Sequence, residues 1–251
     1  MSEIDDLRTK YTDSVAAEYE EKRSESEKWN REQELVTMLL ENLRSDDVKT
    51  VLDVPCGTGR FIPVYSSLGL TGTGVDASAD MLQQARAKKK EKGLSQFQIQ
   101  QGDVFDLSDI NITPDVIVCV RFANWINKND LDTVLEEFLS RKPRYIIIDV
   151  GLKGEYQSQT DRGSLFKKGI GILRDEGVVQ FVRKTSRFIR NNVNSDSDSG
   201  PTLHAHKEKD LIEMFDDKGL RVVEDHLIAD REQSVSKYSQ RNLFLLGNDN
   251  Y

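Results

Sequence analysis

The chain is poor in cysteine and proline, with two and five among 251 residues. Two cysteines make no disulfide framework. Cys56 falls in a turn and Cys119 in an apolar run, so a reducing, cytoplasmic setting is expected. No apolar run approaches the roughly 20 residues that a membrane-spanning helix needs. The opening Met-Ser-Glu-Ile-Asp-Asp lacks the apolar stretch of a secretory leader. Positive charge is in deficit: 35 Lys and Arg stand against 43 Asp and Glu, a net charge of −8. That balance argues against broad binding to nucleic acid. No internal repeat is present. His204 and His206 have metal-ligand spacing, but no third ligand lies near them, so no metal is expected.

What the chain does have is Val51-Leu-Asp-Val-Pro-Cys-Gly-Thr-Gly-Arg60, followed by Gly74-Val-Asp-Ala-Ser78. An apolar strand ends at Asp53, a glycine turn follows, and a helix is predicted to begin near Arg60. A dinucleotide fingerprint would need glycine at position 62, which is Ile62. A pyrophosphate would also be repelled by an acid on the strand before the turn, whereas Asp53 suits a cationic ligand group. No Gly-Lys-Ser/Thr follows the turn, which excludes a P-loop. Asp53, Asp76 and Asp103 each close one of three successive strands, a pattern that surface solvation explains poorly. Capping of the next helix is the plainer alternative, strongest for Asp103.

The pattern resembles the first motif of class I S-adenosylmethionine-dependent methyltransferases, with Asp53, Gly57 and Gly59 in its acidic and glycine positions. Pro55 replaces the usual first glycine; it still turns the chain but donates no backbone hydrogen bond. Asp76 resembles the family's ribose-binding acid, Gly102-Asp-Val104 its adenine motif, and Pro114-Asp-Val-Ile-Val-Cys-Val120 the strand ending beside the transferred methyl. The resemblance implies S-adenosyl-L-methionine as cofactor. Gly57 and Gly59 would admit its methionine part closely, and Asp53 would receive the ammonium. Asp76 and Ala77 would face the ribose, and Asp103 and Val104 the adenine, with Met81 covering it. Tyr19, Pro55, Cys56 and Val120 complete the expected cofactor set. Arg121 and Trp125 follow the fourth strand and are candidates for the acceptor. Pairing of Arg121 with an acid and packing of Trp125 are the alternatives. Methyl transfer needs alignment and a dry site more than a nucleophile, so no catalytic residue is assigned.

Strand and helix alternate through residue 151, the mark of a parallel sheet. Strands are predicted at 50–54, 72–76, 97–101, 115–120 and 145–150, and helices at 32–43, 59–68, 79–92 and 130–140. A helix at 208–218 and strands at 221–228 and 242–247 end the chain. The resemblance implies one α/β domain over 1–251, a Rossmann-like, mostly parallel sheet of seven strands in the order 3-2-1-4-5-7-6. Residues 1–45 would form helices and a cap, 46–151 the cofactor-binding core, 152–206 an insertion shaping the substrate pocket, and 207–251 the closing helix and antiparallel pair. Tyr11, Tyr19 and Arg23 would stand on the capping helix. Between Arg162 and Arg190 eight basic residues face two acids, a local charge of +6.

These features point to methyl transfer onto a small, anionic molecule. The segment lacks the Asp/Asn-Pro-Pro-aromatic pattern of enzymes that methylate nucleic-acid amines. An RNA or protein methyltransferase using the basic 162–190 segment is the alternative, and a non-catalytic cofactor-binding module is another. The acceptor and the oligomeric state are left open.

Overall fold

A computed structural model describes residues 27–153, 203–229 and 240–251. The first element is helix α1 (Glu27–Leu43), on which Trp29, Glu32, Val36, Leu39 and Leu43 are buried at alternating spacings of three and four. It starts a turn and more before the expected Glu32, because Trp29 and Glu32 both have partners in the body of the domain. Strand β1 (Thr50–Asp53), helix α2 (Ile62–Ser67), β2 (Thr71–Asp76), α3 (Ala79–Glu91), β3 (Phe97–Gln101), β4 (Val116–Cys119), α4 (Lys128–Ser140) and β5 (Tyr145–Lys153) follow. The two-residue β6 (His206–Lys207), α5 (Glu208–Asp217), β7 (Leu220–Ala229) and β8 (Gln240–Asn248) complete the described elements.

The sheet runs β3-β2-β1-β4-β5-β8-β7, with β6 beside the end of β5. The first five strands are mutually parallel, and β8 is antiparallel to both β5 and β7. Once β6 is set aside, this is the strand order that the resemblance implied. Strand β5 extends to Lys153, beyond the expected 150, because β8 pairs with it from Tyr145 to Leu152. Helix α2 begins at Ile62 rather than 59. Positive φ angles at Gly57 and Gly59 keep that stretch in a turn.

Alternating side chains divide the interior into two layers, as a sheet covered on both faces requires. Leu52, Ile117, Ile146 and Ile148 point to one side, where Phe138 of α4 and Phe215 of α5 pack. Val51, Val116, Val118 and Ile147 point to the other, against Leu39 and Leu40 of α1 and Tyr65 of α2. Parallel strands put their carboxyl ends together, and the register sets Asp53 opposite Gly74 and Val118. The tips of β1, β2, β3 and β4 thereby form one edge on which a ligand site can be built.

The expectations at Tyr11, Tyr19 and Arg23 and in the basic 162–190 segment lie outside the described residues. Among the described residues no helix is long and apolar enough to cross a membrane. Leu39 is fully buried between α1 and the sheet. Leu39→Ala is expected to lower stability by about 2–5 kcal/mol, read as a reduced urea midpoint with an unchanged denaturant slope.

Candidate active site

The chain leaves β1 through a turn fixed from two sides. The N–H of Val54 donates to the carbonyl of Val118 at 2.9 Å, and that of Cys56 to the carbonyl of Val75 at 2.8 Å. Gly57 has φ +54°, and a β-carbon there would meet nothing within 4 Å, so the turn presents bare backbone to open space. Gly59, φ +72°, serves packing: its β-carbon would lie 2.5 Å from Ile62 Cδ1 and 3.0 Å from Ala85 Cβ. It does not line the cavity that the turn borders.

That cavity, counted together with the open space at its mouth, amounts to about 1070 Å³. Asp53, Pro55, Cys56 and Gly57 line it from the turn, and Asp76, Ala77 and Met81 from the end of β2 and the start of α3. Asp103 and Val104 border it beyond β3; Val120, Arg121 and Trp125 do so beyond β4. The strand ends therefore bring together every expected site residue within the described part except Gly59.

The three acids differ in their surroundings. Asp53 is 2 % exposed, and its Oδ2 has no hydrogen-bond partner among the described residues. Burial pushes its carboxyl up to about 8; the nearby Tyr65 hydroxyl opposes that rise, and the charge of Asp76 adds to it. The approach of Tyr65 falls short of a regular hydrogen bond, since its hydroxyl is also unsatisfied. Asp76 Oδ2 accepts from the N–H of Gly57 at 2.8 Å, and its Oδ1 from the N–H of Ser78 at 2.9 Å. Burial raises its pKa while those two N–H groups oppose the rise. Asp76 does not cap α3; Ser78 does, accepting from Met81 N at 3.3 Å. Asp103 Oδ1 accepts from the N–H of Phe105 at 3.0 Å, closing a turn rather than a helix.

The opposite wall was not legible in the sequence. Helix α1 brings Trp29 to the cavity, and its fully buried Glu32 lies one turn further on. Arg60 Nη1 reaches Glu32 Oε2 at 2.7 Å, and Arg121 Nη1 reaches Oε1 at 3.0 Å. Arg241 bridges the same Oε1 and Asp149. Burial would raise the Glu32 pKa, but Arg241, Arg121 and Arg60 outweigh it and hold the carboxyl below its ordinary value. Arg121 has φ +68°, a left-handed conformation that costs energy in a residue with a β-carbon. It is clamped there by its N–H on Asp149 Oδ1 and by its carbonyl, which accepts from Trp125 Nε1 at 3.1 Å. The alternative weighed for Arg121 is thus realised, since it pairs with an acid, while the half-buried Trp125 is held by its indole hydrogen bond. The one signal available in the sequence was an acid, Glu32, within the apolar stripe of α1.

His206 is buried in β6, its Nε2 3.4 Å from the carbonyl of Ala123, and burial lowers its pKa. Among the described residues no group of three potential ligands surrounds a metal position.

Residues 51–141 match a family model described as a methyltransferase domain. That match spans about a third of the chain. No curated protein matches the chain. Among solved structures, a magnesium protoporphyrin IX methyltransferase from Synechocystis PCC 6803 with bound SAH is similar at 14% identity and a TM-score of 0.65. The match covers 99% of this chain and 100% of that one. An S-adenosylmethionine-dependent methyltransferase from Clostridium acetobutylicum ATCC 824 is similar at 16% identity, over 93% of this chain and 96% of that one, with a TM-score of 0.56. At such identities the likeness concerns the fold.

The residues lining the cavity fit a nucleoside-linked amino acid by their own geometry. Asp53 holds a buried carboxyl oxygen with no hydrogen-bond partner among the described residues, and Gly57 offers unshielded backbone beside it. An acid whose folded-state pKa lies above its ordinary value of 3.8, here about 8, makes the folded protein progressively less stable as pH rises through that interval. Asp53→Asn removes the titration. Its melting temperature should gain on the parent's between about pH 4 and pH 8, by the equivalent of about 1 kcal/mol per pH unit. Parallel melting curves across that range check this.

Proposed function

We propose that this chain is an S-adenosylmethionine-dependent methyltransferase acting on a small molecule. The observation that carries the reading is Asp53, buried at the tip of β1 with one oxygen unsatisfied, beside the open backbone of Gly57. Asp53 receives the ammonium of the cofactor's methionine part. Asp76 accepts from the ribose hydroxyls while also anchoring the Gly57 N–H. Asp103 and the backbone of Val104 address the adenine edge, and Met81 supplies an apolar surface against the ring. S-adenosylmethionine, when bound, supplies a methyl group already activated on a sulfonium.

The remaining chemistry asked of the protein is alignment and exclusion of water. Trp29, Phe61, Phe105, Phe122 and Trp125 make most of the cavity wall apolar. The acceptor enters on the side of Val120, where Arg121, held by Glu32, and Trp125 border the cavity. A general base is required only for an acceptor that holds its proton. The two free, buried cysteines, Cys56 and Cys119, fit a cytoplasmic enzyme.

Two outcomes check this function. S-adenosylhomocysteine should bind the parent in isothermal titration, and Asp76→Ala should weaken it at least about 100-fold, the sum of two charge-assisted hydrogen bonds. Unchanged affinity would overturn the reading. Because a cationic ligand requires Asp53 ionised, affinity should also rise with pH and level off above about 8, with proton release on binding. Asp53→Asn should abolish that pH dependence.

A further inference from the structure

Helix α1 does more than cover the cavity. Three of its groups converge on one guanidinium, that of Arg60, which lies on the same turn as Gly57. Glu32 Oε2 accepts from Nη1 at 2.7 Å, Gln33 Oε1 accepts from Nε at 3.3 Å, and the Trp29 carbonyl accepts from Nη2. The Arg60 group also sits over the Trp29 ring, with Cζ 3.7 Å from its centroid. A long, flexible side chain is thereby held at one place in the cavity wall, with only 8% of it exposed.

The position is informative. Arg60 and Asp53 line the same cavity, with Gly57 between them in the turn. In an α-amino acid a single carbon separates ammonium from carboxylate. A ligand that places its ammonium on Asp53 must set its carboxylate within a few ångströms, and Arg60 is the cation that the turn supplies there. We propose that Glu32 is a positioning residue that fixes Arg60 as the receptor for the carboxylate of the cofactor's amino-acid part. The inference rests on the proposed cofactor and adds to it a role for a helix outside the sheet. Glu32 touches no ligand in this account. It acts through Arg60, and its second oxygen holds Arg121 and Arg241 in place.

The test compares two ligands by isothermal titration: S-adenosylhomocysteine, which has the amino acid, and 5′-methylthioadenosine, which has the nucleoside and sulfur without it. Glu32→Gln should weaken S-adenosylhomocysteine about 10-fold or more and leave 5′-methylthioadenosine within about 2-fold. Removing a negative charge from the wall would strengthen anion binding if charge alone mattered. Tighter binding of S-adenosylhomocysteine, no change, or equal loss for both ligands would each overturn the proposal. Because loss of one partner from a buried ion cluster can unfold a protein, Arg60→Lys provides a second arm. It keeps the charge and loses the three-point hold. It should reproduce the selective weakening, and parent-like affinity for both ligands would sink the idea. If the parent binds neither ligand, the cofactor assignment itself falls. If the parent binds both and neither variant discriminates, only the role of Glu32 and Arg60 falls.

Discussion

A carboxylate without access to water, Glu32, is shared by guanidiniums arriving from the turn after β1, the end of β4 and strand β8. Ion pairs on a surface contribute little, but a buried acid must be compensated or expelled. Here compensation comes from three separate parts of the sheet, so the helix that bears Glu32 has one docking position. Asp149, equally buried, repeats the device from β5: it accepts from Arg241 and from the backbone of Arg121. The two acids link helix, sheet and turn into one assembly that borders the cavity. Its value lies in fixing geometry rather than in net stability.

The opposite wall is organised by the reverse condition. Asp53 is buried with one oxygen lacking a hydrogen-bond partner among the described residues, and burial pushes its carboxyl up to about 8. Asp76 spends both oxygens on backbone N–H groups of the turn and of the residue before α3. One acid is therefore left wanting a ligand, while its neighbour already shapes the loop on which a ligand would rest. Burial acts on both, and hydrogen bonding separates them. The cavity joins this acid-rich face to the Arg60 and Trp29 face across a few side chains, a distribution suited to a ligand carrying charges of both signs.

Much of this could be read from the chain itself. Alternation of apolar runs with amphipathic stretches gave a parallel sheet, and the order of strands and helices through β5 emerged with boundaries shifted by a few residues. Where boundaries moved, the cause was tertiary. β5 lengthened because β8 lies along it, and α2 shortened because glycines with positive φ delay its first turn. Gly57 and Gly59 look equivalent as letters. Their surroundings separate them, one opening on the cavity and the other closing on Ile62 and Ala85.

The sequence by itself determined that acids would stand at successive strand ends. The two-residue period of a strand and the parallel direction of the sheet leave those residues at one edge. It also determined the glycine turn, because few other residues adopt its backbone. Only the tertiary structure decided which helix would face that edge and what would hold it. Glu32 meets Arg60 and Arg121 at separations of 28 and 89 residues. No local pattern encodes such pairings, because the energy that selects them arises only when the charges leave water together.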